Sequence, residues 1–371
     1  MKIGFLDNIP WDYRVDSVSR IPLGGSQSAL CYLAAALARL DHQVFLFNSC
    51  STPAVSLGVQ CQPWGDLFAG NIPELEILII LNYAGWGRKL REVLPSSTKL
   101  ILWTQHALDQ AAIAPLQARE ECRSYDYFVF VSEWQRQTYL DSLEIHPRQT
   151  QLLRNCIAPA FQNLFASVPE MIAQKNHSPV LAYTSTPFRG LDILLEIFPR
   201  LHQVIPSLVL KVFSSLKVYQ FSDQEDPYAW LYAKCRETPG VEYIGSLPQA
   251  QLAQELRSAT MLVYPNHFAE TSCISVLEAM ASGCLVVTSD LGALPETTEG
   301  FAKLIPVSDD WSKYQEDFLN EVLSLLQPSK PFAGSGTGVI NWQIPWQVNY
   351  INKYYNWQRR ALEWANWLER I

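Results

Sequence analysis

The feature that most constrains the fold of this chain is an alternation of short apolar runs with amphipathic stretches, which occurs in two series. In the first series, the predicted buried strands are 3–7, 43–48, 75–82, 99–105 and 127–132. The predicted helices are 26–40 and 133–143, the second with Ser132 as its N-cap. Continuous apolar strands that alternate with helices predict a parallel sheet with both faces covered.

The alternation pauses over a polar stretch at 155–179, which contains Pro159, Pro169 and Pro179, and then starts again. The second series has predicted strands at 180–185, 208–214, 242–245, 261–265 and 285–289, and helices at 191–204, 228–237, 249–258 and 273–282. We therefore predict an α/β chain of two Rossmann-like, doubly wound domains that face each other across a cleft. The expected domains are residues 1–160, to which a Trp-rich helical stretch at 345–371 packs back, and residues 161–344.

Composition excludes several classes of protein. A formal net charge of −8 argues against a general nucleic-acid binder, which needs a basic surface to meet phosphates. The eight cysteines include no CxxC pair, so neither a zinc site nor a redox pair is indicated, and free thiols in a reducing cytoplasm are expected. The start of the chain reads as a strand and not as a signal peptide. Peripheral membrane contact through the Trp-rich stretch stays an alternative.

The loops at strand ends contain no GxGxxG and no GxxxxGK[ST] motif, so a dinucleotide or P-loop site is not predicted. Gly24-Gly25-Ser26 lies between the first strand and the first helix. Two glycines allow a backbone to approach a ligand closely, and the helix start offers free N–H groups to an anion. The alternative is a flexible loop in which Ser26 is a simple N-cap.

The most informative segment runs from 264 to 283. A strand is predicted to end at Pro265 and a helix to begin near Cys273, with Gly283 as its C-terminal stop. Glu270 therefore lies in the loop before the helix, and Glu278 lies about two turns into it. Glu270 is thus placed beside the positive N-terminal end of this helix.

This placement suggests a nucleotide-sugar site. The amides of Thr271, Ser272 and Cys273 would hold a diphosphate, Glu270 would accept hydrogen bonds from sugar hydroxyls, and Glu278 from a ribose. The alternative is that Glu270 only offsets the helix dipole and that Glu278 is solvated. Spacing alone does not separate these two interpretations.

The run Glu270-x7-Glu278, followed by Ala279-Met280-Ala281-Ser282-Gly283, resembles the signature of family-four retaining glycosyltransferases. The resemblance extends over most of the chain. It implies the GT-B fold, a nucleotide-sugar donor held mainly by the second domain, and transfer with retention of anomeric configuration. The catalytic residues implied by it are Glu270, His106 and Arg189.

Other positions match the same family. His106, in Trp103-Thr104-Gln105-His106, matches a histidine near the donor sugar, although a histidine at a strand end is often structural. Gly292 to Glu296 matches the loop after the last core strand. The expected donor-binding residues are Gly24, Gly25, Ser185, Arg189, Gly245, Ser246, Leu247, Glu270, Thr271, Ser272, Cys273 and Glu278.

The chain departs from the family pattern where the phosphates are neutralised. The family usually has an Arg and a Lys five residues apart, and here these positions are Thr184 and Arg189. One guanidinium together with hydroxyls would have to replace two cations, or Lys211 or Lys217 would supply the second charge. No Asp-x-Asp occurs, so no metal and no other cofactor is expected.

The expected partners are a UDP- or GDP-hexose donor and a carbohydrate, lipid or protein acceptor. Trp11, Asp12, Arg14 and Asp109, in the loops at 8–23 and 106–115, are the candidate acceptor-side residues, although they could equally form ordinary surface loops. Two other functions on the same scaffold stay open. One is a nucleotide-sugar epimerase, and the other is a catalytically silent protein that binds a sugar nucleotide.

Overall fold

The computed structural model describes residues 1–70, 74–175, 178–326 and 343–371. The chain forms two compact units. The first comprises Met1–Arg20, Gly24–Cys156 and Trp357–Ile371, and the second comprises Ile21–Leu23 and Ile157–Asn356. The boundary between them near Cys156 falls at the start of the proline-punctuated stretch seen in the sequence.

The first unit is built on an eight-stranded sheet with the order β3-β4-β2-β1-β5-β6-β7-β8. Every neighbouring pair is parallel except β3 with β4. Its strands are β1 Lys2–Leu6, β2 Gln43–Asn48, β3 Ala54–Ser56, β4 Val59–Pro63, β5 Ile77–Leu81, β6 Lys99–Trp103, β7 Tyr127–Phe130 and β8 Thr150–Leu152, and its helices include α1 Gly25–Ala38, α2 Asp66–Ala69, α3 Gly87–Val93, α4 Arg119–Cys122 and α5 Glu133–Ser142.

The second unit is built on a six-stranded parallel sheet with the order β11-β10-β9-β12-β13-β14. Its strands are β9 Val180–Tyr183, β10 Val209–Val212, β11 Val241–Tyr243, β12 Met261–Tyr264, β13 Leu285–Ser289 and β14 Lys303–Ile305, and its helices are α6 Val168–Lys175, α7 Leu191–Val204, α8 Ala229–Glu237, α9 Gln249–Ser258, α10 Ile274–Ala281, α11 Leu294–Thr297, α12 Trp311–Leu326 and α13 Gln343–Tyr354. Both sheets confirm the predicted parallel α/β architecture.

The apolar strand sequences account for this architecture. All five residues of β5, Ile-Leu-Ile-Ile-Leu, are buried, as are all four residues of β12, Met-Leu-Val-Tyr. A strand that is apolar at every position has no face suited to water, so it is stable only between two layers of helices. The sheets therefore form the centre of each core.

Strand order identifies where a ligand would bind in the second unit. From β9 the order runs through β10 to β11 on one side, and from β12 through β13 to β14 on the other. The neighbours β9 and β12, paired at Leu262 and Ala182, form the point at which the order reverses. In open α/β sheets, a crevice opens beyond the carboxyl ends of the strands at such a point.

The predicted helical stretch at 345–371 is two helices that belong to different units. Gln347 of α13 donates from Nε2 to the carbonyl oxygens of Met280 and Cys284, both at 2.9 Å, so α13 packs in the second unit. Only α14, Trp357–Leu368, joins the first unit, where the rings of Trp364 and Trp103 are 5.3 Å apart. The expectation that the whole stretch packs on the first domain is corrected accordingly.

The structure contains several short elements that the apolar pattern did not predict, among them β3, β4, β8 and β14. The helix α12 was also missed, although its sequence is amphipathic. All eight cysteines are buried free thiols, as expected. Over the described ranges, no helix is both long enough and apolar enough to cross a membrane.

Candidate functional site

The main candidate site lies beyond the carboxyl ends of β9 and β12. Arg189, in the loop after β9, donates from Nη1 to Oε1 of Glu270, in the loop after β12, across 2.5 Å. The Glu270 side chain is only 5% exposed and that of Arg189 is 21% exposed. The structure therefore brings together two predicted site residues from opposite sides of the reversal point.

Tyr264, the last residue of β12, is a member of this site that the sequence analysis did not single out. Its hydroxyl donates to the same Oε1 of Glu270 at 2.6 Å. The hydroxyl of Ser185 lies 3.3 Å from the Tyr264 hydroxyl oxygen. Burial raises the pKa of Tyr264 well above 10, so the phenol keeps its proton and acts as a donor. The available signal was a tyrosine directly before Pro265, at the strand end of a predicted site.

The guanidinium of Arg189 is held by aromatic rings. It lies 4.7 Å from the ring centroid of Phe268 and 5.6 Å from that of Phe188. Its Nε is buried without a hydrogen-bond partner among the described residues. Nη1 is thus the guanidinium nitrogen that Glu270 occupies, and the other N–H groups of Arg189 have no acceptor among the described residues.

Two glycines allow the loops to approach each other. Gly190, at φ +99°, would place a Cβ 2.1 Å from the carbonyl oxygen of Pro265. Gly292, at φ +61°, would place one 2.4 Å from the carbonyl oxygen of Glu270, which accepts a hydrogen bond from the Ala293 amide at 2.7 Å. Neither position has room for a side chain, so backbone packing fixes the loop that carries Glu270.

The helix α10 begins at Ile274, with Cys273 as its N-cap. Thr271 and Ser272 therefore lie in the loop before the helix, and their amides are not part of its first turn. Cys273 is buried, which raises the pKa of its thiol, so its side chain is neutral. The amide donors expected at 271–273 are thus mostly loop amides next to Glu270.

Glu278 is buried within the second unit. It is 4% exposed, and its Oε1 accepts a hydrogen bond from the Ala158 amide at 3.2 Å. Burial raises its pKa to about 8. The alternative of a solvated Glu278 is therefore wrong, whereas its expected contact with a ribose stays a prediction.

A cavity of about 510 Å³ lies beyond β10 and β11, on the same edge of the sheet as the Arg189–Glu270 pair. Gly245 and Ser246 line it, and the hydroxyl of Ser246 lies 2.7 Å from that of Ser215. The rings of Tyr232 and Tyr243 stack at 4.8 Å at its wall. Leu247 follows Ser246 and is partly exposed.

Neither lysine suggested as a second phosphate cation is unpaired. Lys211 binds Glu255 at 2.7 Å, and Lys217 binds Asp223 at 3.0 Å. Thr184, at the position where the family has an arginine, has a buried hydroxyl without a partner among the described residues. Both lysines belong to the β10 side of the sheet, whereas Arg189 follows β9, one of the two strands at the reversal point.

In the first unit, His106 follows β6 and is partly exposed. Its carbonyl oxygen accepts hydrogen bonds from Nε2 of Gln135 at 2.8 Å and from the hydroxyl of Tyr139 at 2.9 Å. Both donors are on α5, whose N-cap is Ser132 as predicted. The backbone at His106 is thus fixed by side chains from the next helix.

The other candidates of the first unit are in loops at the carboxyl edge of its sheet. Gly24 is the N-cap of α1 and Gly25 its first residue. Arg14 donates to the backbone and side-chain oxygens of Thr52 at 2.9 and 2.8 Å and lies 3.9 Å from Asp12. Trp11 is partly exposed, and Asp12 and Asp109 are exposed.

The first unit also contains a buried carboxyl that the sequence did not indicate. Asp7, directly after β1, is 2% exposed and accepts hydrogen bonds from Tyr13 at 2.6 Å and Gln27 at 3.3 Å. Burial raises its pKa to about 6. In the described ranges, no group of three or more His, Cys, Asp or Glu side chains could hold a metal ion.

Part of the chain matches a known protein family. Residues 179–327 match the family described as glycosyl transferases group 1, a stretch that contains Arg189, Glu270 and Glu278. Phosphatidyl-myo-inositol mannosyltransferase of Mycobacterium tuberculosis is 30% identical over 107 residues, which are 29% of this chain. The match spans only 26% of that relative's length.

Solved structures resemble the whole chain. Sucrose-phosphate synthase from Thermosynechococcus elongatus has a TM-score of 0.72 at 17% identity and covers 100% of this chain and 98% of its own. HepE of Anabaena, in complex with UDP-glucose, has a TM-score of 0.70 at 14% identity with full coverage of both chains. The expected GT-B fold, with two parallel-sheet α/β domains, is therefore confirmed.

Proposed function

We propose that the chain is a retaining glycosyltransferase that moves a hexose from a UDP- or GDP-sugar to an acceptor hydroxyl without a metal ion. The observation that carries this proposal is the pairing of Arg189 with Glu270 at the reversal point of the second sheet. This pairing puts a cation for phosphate and a carboxylate for sugar hydroxyls within one hydrogen bond of each other.

Arg189 has the role of binding the diphosphate and stabilising it as it leaves. Its one side-chain hydrogen bond in the described ranges goes to Glu270, so N–H groups are left over for phosphate oxygens. A guanidinium matches phosphate geometry in pairs of hydrogen bonds and stays protonated. Stabilising the departing charge in this way is an electrostatic contribution to catalysis.

Glu270 has the role of orienting the donor sugar. Its carboxylate is buried, and one of its oxygens accepts hydrogen bonds from both Arg189 and Tyr264. The orientation of the carboxylate is therefore fixed before a sugar binds. Glu278 would accept a hydrogen bond from the ribose and His106 from a sugar hydroxyl. The cavity lined by Gly245 and Ser246 is the proposed site of the base.

The proposed donor and acceptor classes come from two of the similar proteins. HepE, which shares the fold, binds UDP-glucose, and this favours a UDP-hexose here. The mannosyltransferase that matches part of the chain is named for a lipid-linked acceptor, and this makes a lipid the first acceptor to test. The buried free thiols favour a reducing compartment, and we place the reaction in the cytoplasm.

Donor hydrolysis and transfer assays with UDP- and GDP-hexoses, with and without EDTA, test the proposal. Glu270→Gln and Arg189→Ala are each expected to remove most activity, on the order of a hundredfold or more, because each removes a group that touches the reacting region. Both variants are expected to stay folded in a thermal melt. Retention in the product is read from the anomeric proton by NMR.

Arg257→Ala is the matched control for Arg189→Ala. Arg257 also pairs with a carboxylate of the second unit, Glu170 at 2.6 Å, and its side chain is 23% exposed. Its loss is expected to lower stability slightly and to leave turnover unchanged. Unchanged turnover in Arg189→Ala or Glu270→Gln would remove that residue from the site, and absence of product from every donor and acceptor would count against transfer.

A further inference from the structure

The arginine–carboxylate pair at the reversal point has an unusual geometry. Arginine and a carboxylate commonly form two parallel hydrogen bonds, which use both carboxylate oxygens and two N–H groups. Here Nη1 of Arg189 alone contacts Glu270, and it does so at Oε1. Nε of the same guanidinium is buried without a partner in the described part of the chain.

Tyr264 is the group that distinguishes this pair from a bidentate one. Its hydroxyl also donates to Oε1 of Glu270, at 2.6 Å, and so sets the direction in which the carboxylate points. The hydroxyl is fixed in turn, since the Ser185 hydroxyl lies 3.3 Å away and the ring is 1% exposed beside Tyr183. The carboxylate is therefore oriented by a residue that cannot itself turn freely.

We propose that Tyr264 is a positioning residue that holds Glu270 on a single N–H of Arg189 and thereby keeps the remaining guanidinium N–H groups for the donor diphosphate. This inference rests on the proposed function of the site. It explains how one arginine can serve where the resembling family has two cations. The Tyr264 hydroxyl helps to orient Glu270, so Arg189 needs only one N–H for this and its other N–H groups can bind phosphate.

Removal of the hydroxyl has a specific consequence. Without the donor from Tyr264, the Glu270 carboxylate can rotate about its last side-chain bond and accept a second N–H from Arg189. Such a bidentate pair would occupy the guanidinium edge that a diphosphate needs. Binding of a nucleotide would then have to break that pair, so affinity falls although no contact with the nucleotide is deleted.

The test is calorimetric titration of the full-length protein with UDP and with GDP. Tyr264→Phe is expected to weaken the better ligand roughly tenfold or more, the scale of one hydrogen bond to a charged group. Tyr183→Phe is the matched control, because Tyr183 is equally buried, its ring is 6.0 Å from that of Tyr264, and its hydroxyl bonds to the Thr186 backbone at 2.7 Å. It is expected to bind like the wild type.

A double variant separates positioning from general support of the fold. In Tyr264→Phe/Glu270→Gln the carboxylate that captures Arg189 is gone, so affinity is expected to return to that of Glu270→Gln alone. Thermal melts check that each variant is folded. Wild-type affinity in Tyr264→Phe, or a double variant that binds more weakly than Glu270→Gln alone, would overturn the inference and leave the proposed function standing. A wild-type protein that binds neither nucleotide would overturn both.

Discussion

At the scale of single residues, the two glutamates of the Glu-x7-Glu run have different environments that their spacing could not reveal. Glu270 is paired with a cation and a phenol, whereas Glu278 meets a backbone amide. Sequence spacing places Glu270 just before a helix start and Glu278 within that helix, but it does not show what packs over them. Tyr264 was missed for the same reason: its role depends on the loop after β12, which folds back and places Glu270 beside its hydroxyl.

The burial of Glu278 predicts a pH-dependent stability. Its folded-state pKa of about 8 lies above its ordinary value of 4.5, so its contribution is fully present below that ordinary value and is lost as pH rises through about 8. Glu278→Gln removes the cost of ionisation while its amide oxygen can still accept from Ala158. The variant is expected to be more stable than the wild type near pH 8.5, by on the order of a few kcal/mol, and about equal near pH 5.

Urea unfolding of the wild type and of Glu278→Gln at both pH values measures this difference. The sign is fixed by the raised pKa, because the unfolded state releases this proton at lower pH than the folded state does. A stability difference between the two proteins that does not change with pH would show that Glu278 is not buried as an acid in the folded state.

At the scale of elements, the apolar pattern located the central strands well and the peripheral ones poorly. The predictions at 43–48, 191–204 and 249–258 coincide with β2, α7 and α9. Strands β3 and β14 have three residues each and sit at sheet edges, where no continuous apolar run is required. The sequence also could not show which loops approach each other, because that depends on backbone packing at glycines.

The loop that carries Glu270 depends on such a glycine. Gly292→Ala is expected to destabilise the protein and weaken nucleotide-sugar binding, because its Cβ would lie 2.4 Å from the carbonyl oxygen of Glu270. Gly300→Ala is the control, since Gly300 has a similar φ of +77° but nothing within 4 Å of the added Cβ. In Gly300→Ala the free energy of unfolding should fall only because of backbone strain, by roughly 1 kcal/mol.

Thermal melts and donor titrations of both alanine variants measure these effects. A loss in Gly292→Ala at least twice that in Gly300→Ala assigns the excess to the contact with the Glu270 loop. Equal losses in stability and no change in binding for either variant would mean that the loop can shift to admit a side chain.

At the scale of the whole molecule, the two-unit organisation was predicted from the repeated series, but the course of the chain between the units was not. The apolar pattern identifies helical segments and does not say which sheet each one covers. Helices α13 and α14 follow each other closely, and both are rich in aromatic residues, yet they pack in different units. Their assignment therefore required the structure.

The packing of α14 predicts that a tryptophan on this helix and one on α13 contribute very differently to stability. Trp364, which is 0% exposed and contacts Trp103, should cost about 3–5 kcal/mol of unfolding free energy when replaced by alanine. Trp346 of α13 is 69% exposed, so Trp346→Ala should be nearly neutral. Hydrogen exchange is expected to place the loss from Trp364→Ala in the first unit, and equal effects of the two variants would contradict this packing.

The discontinuous first unit has a consequence for biosynthesis. During translation, its eight-stranded sheet leaves the ribosome long before α14, which is made only after the whole of the second unit. The apolar surface around Trp103, which α14 covers in the folded protein, therefore stays exposed while the second unit is being synthesised. A premature stop codon or a protease cut just before Trp357 would spare every residue at the Arg189–Glu270 pair and yet leave the nascent first unit prone to aggregation.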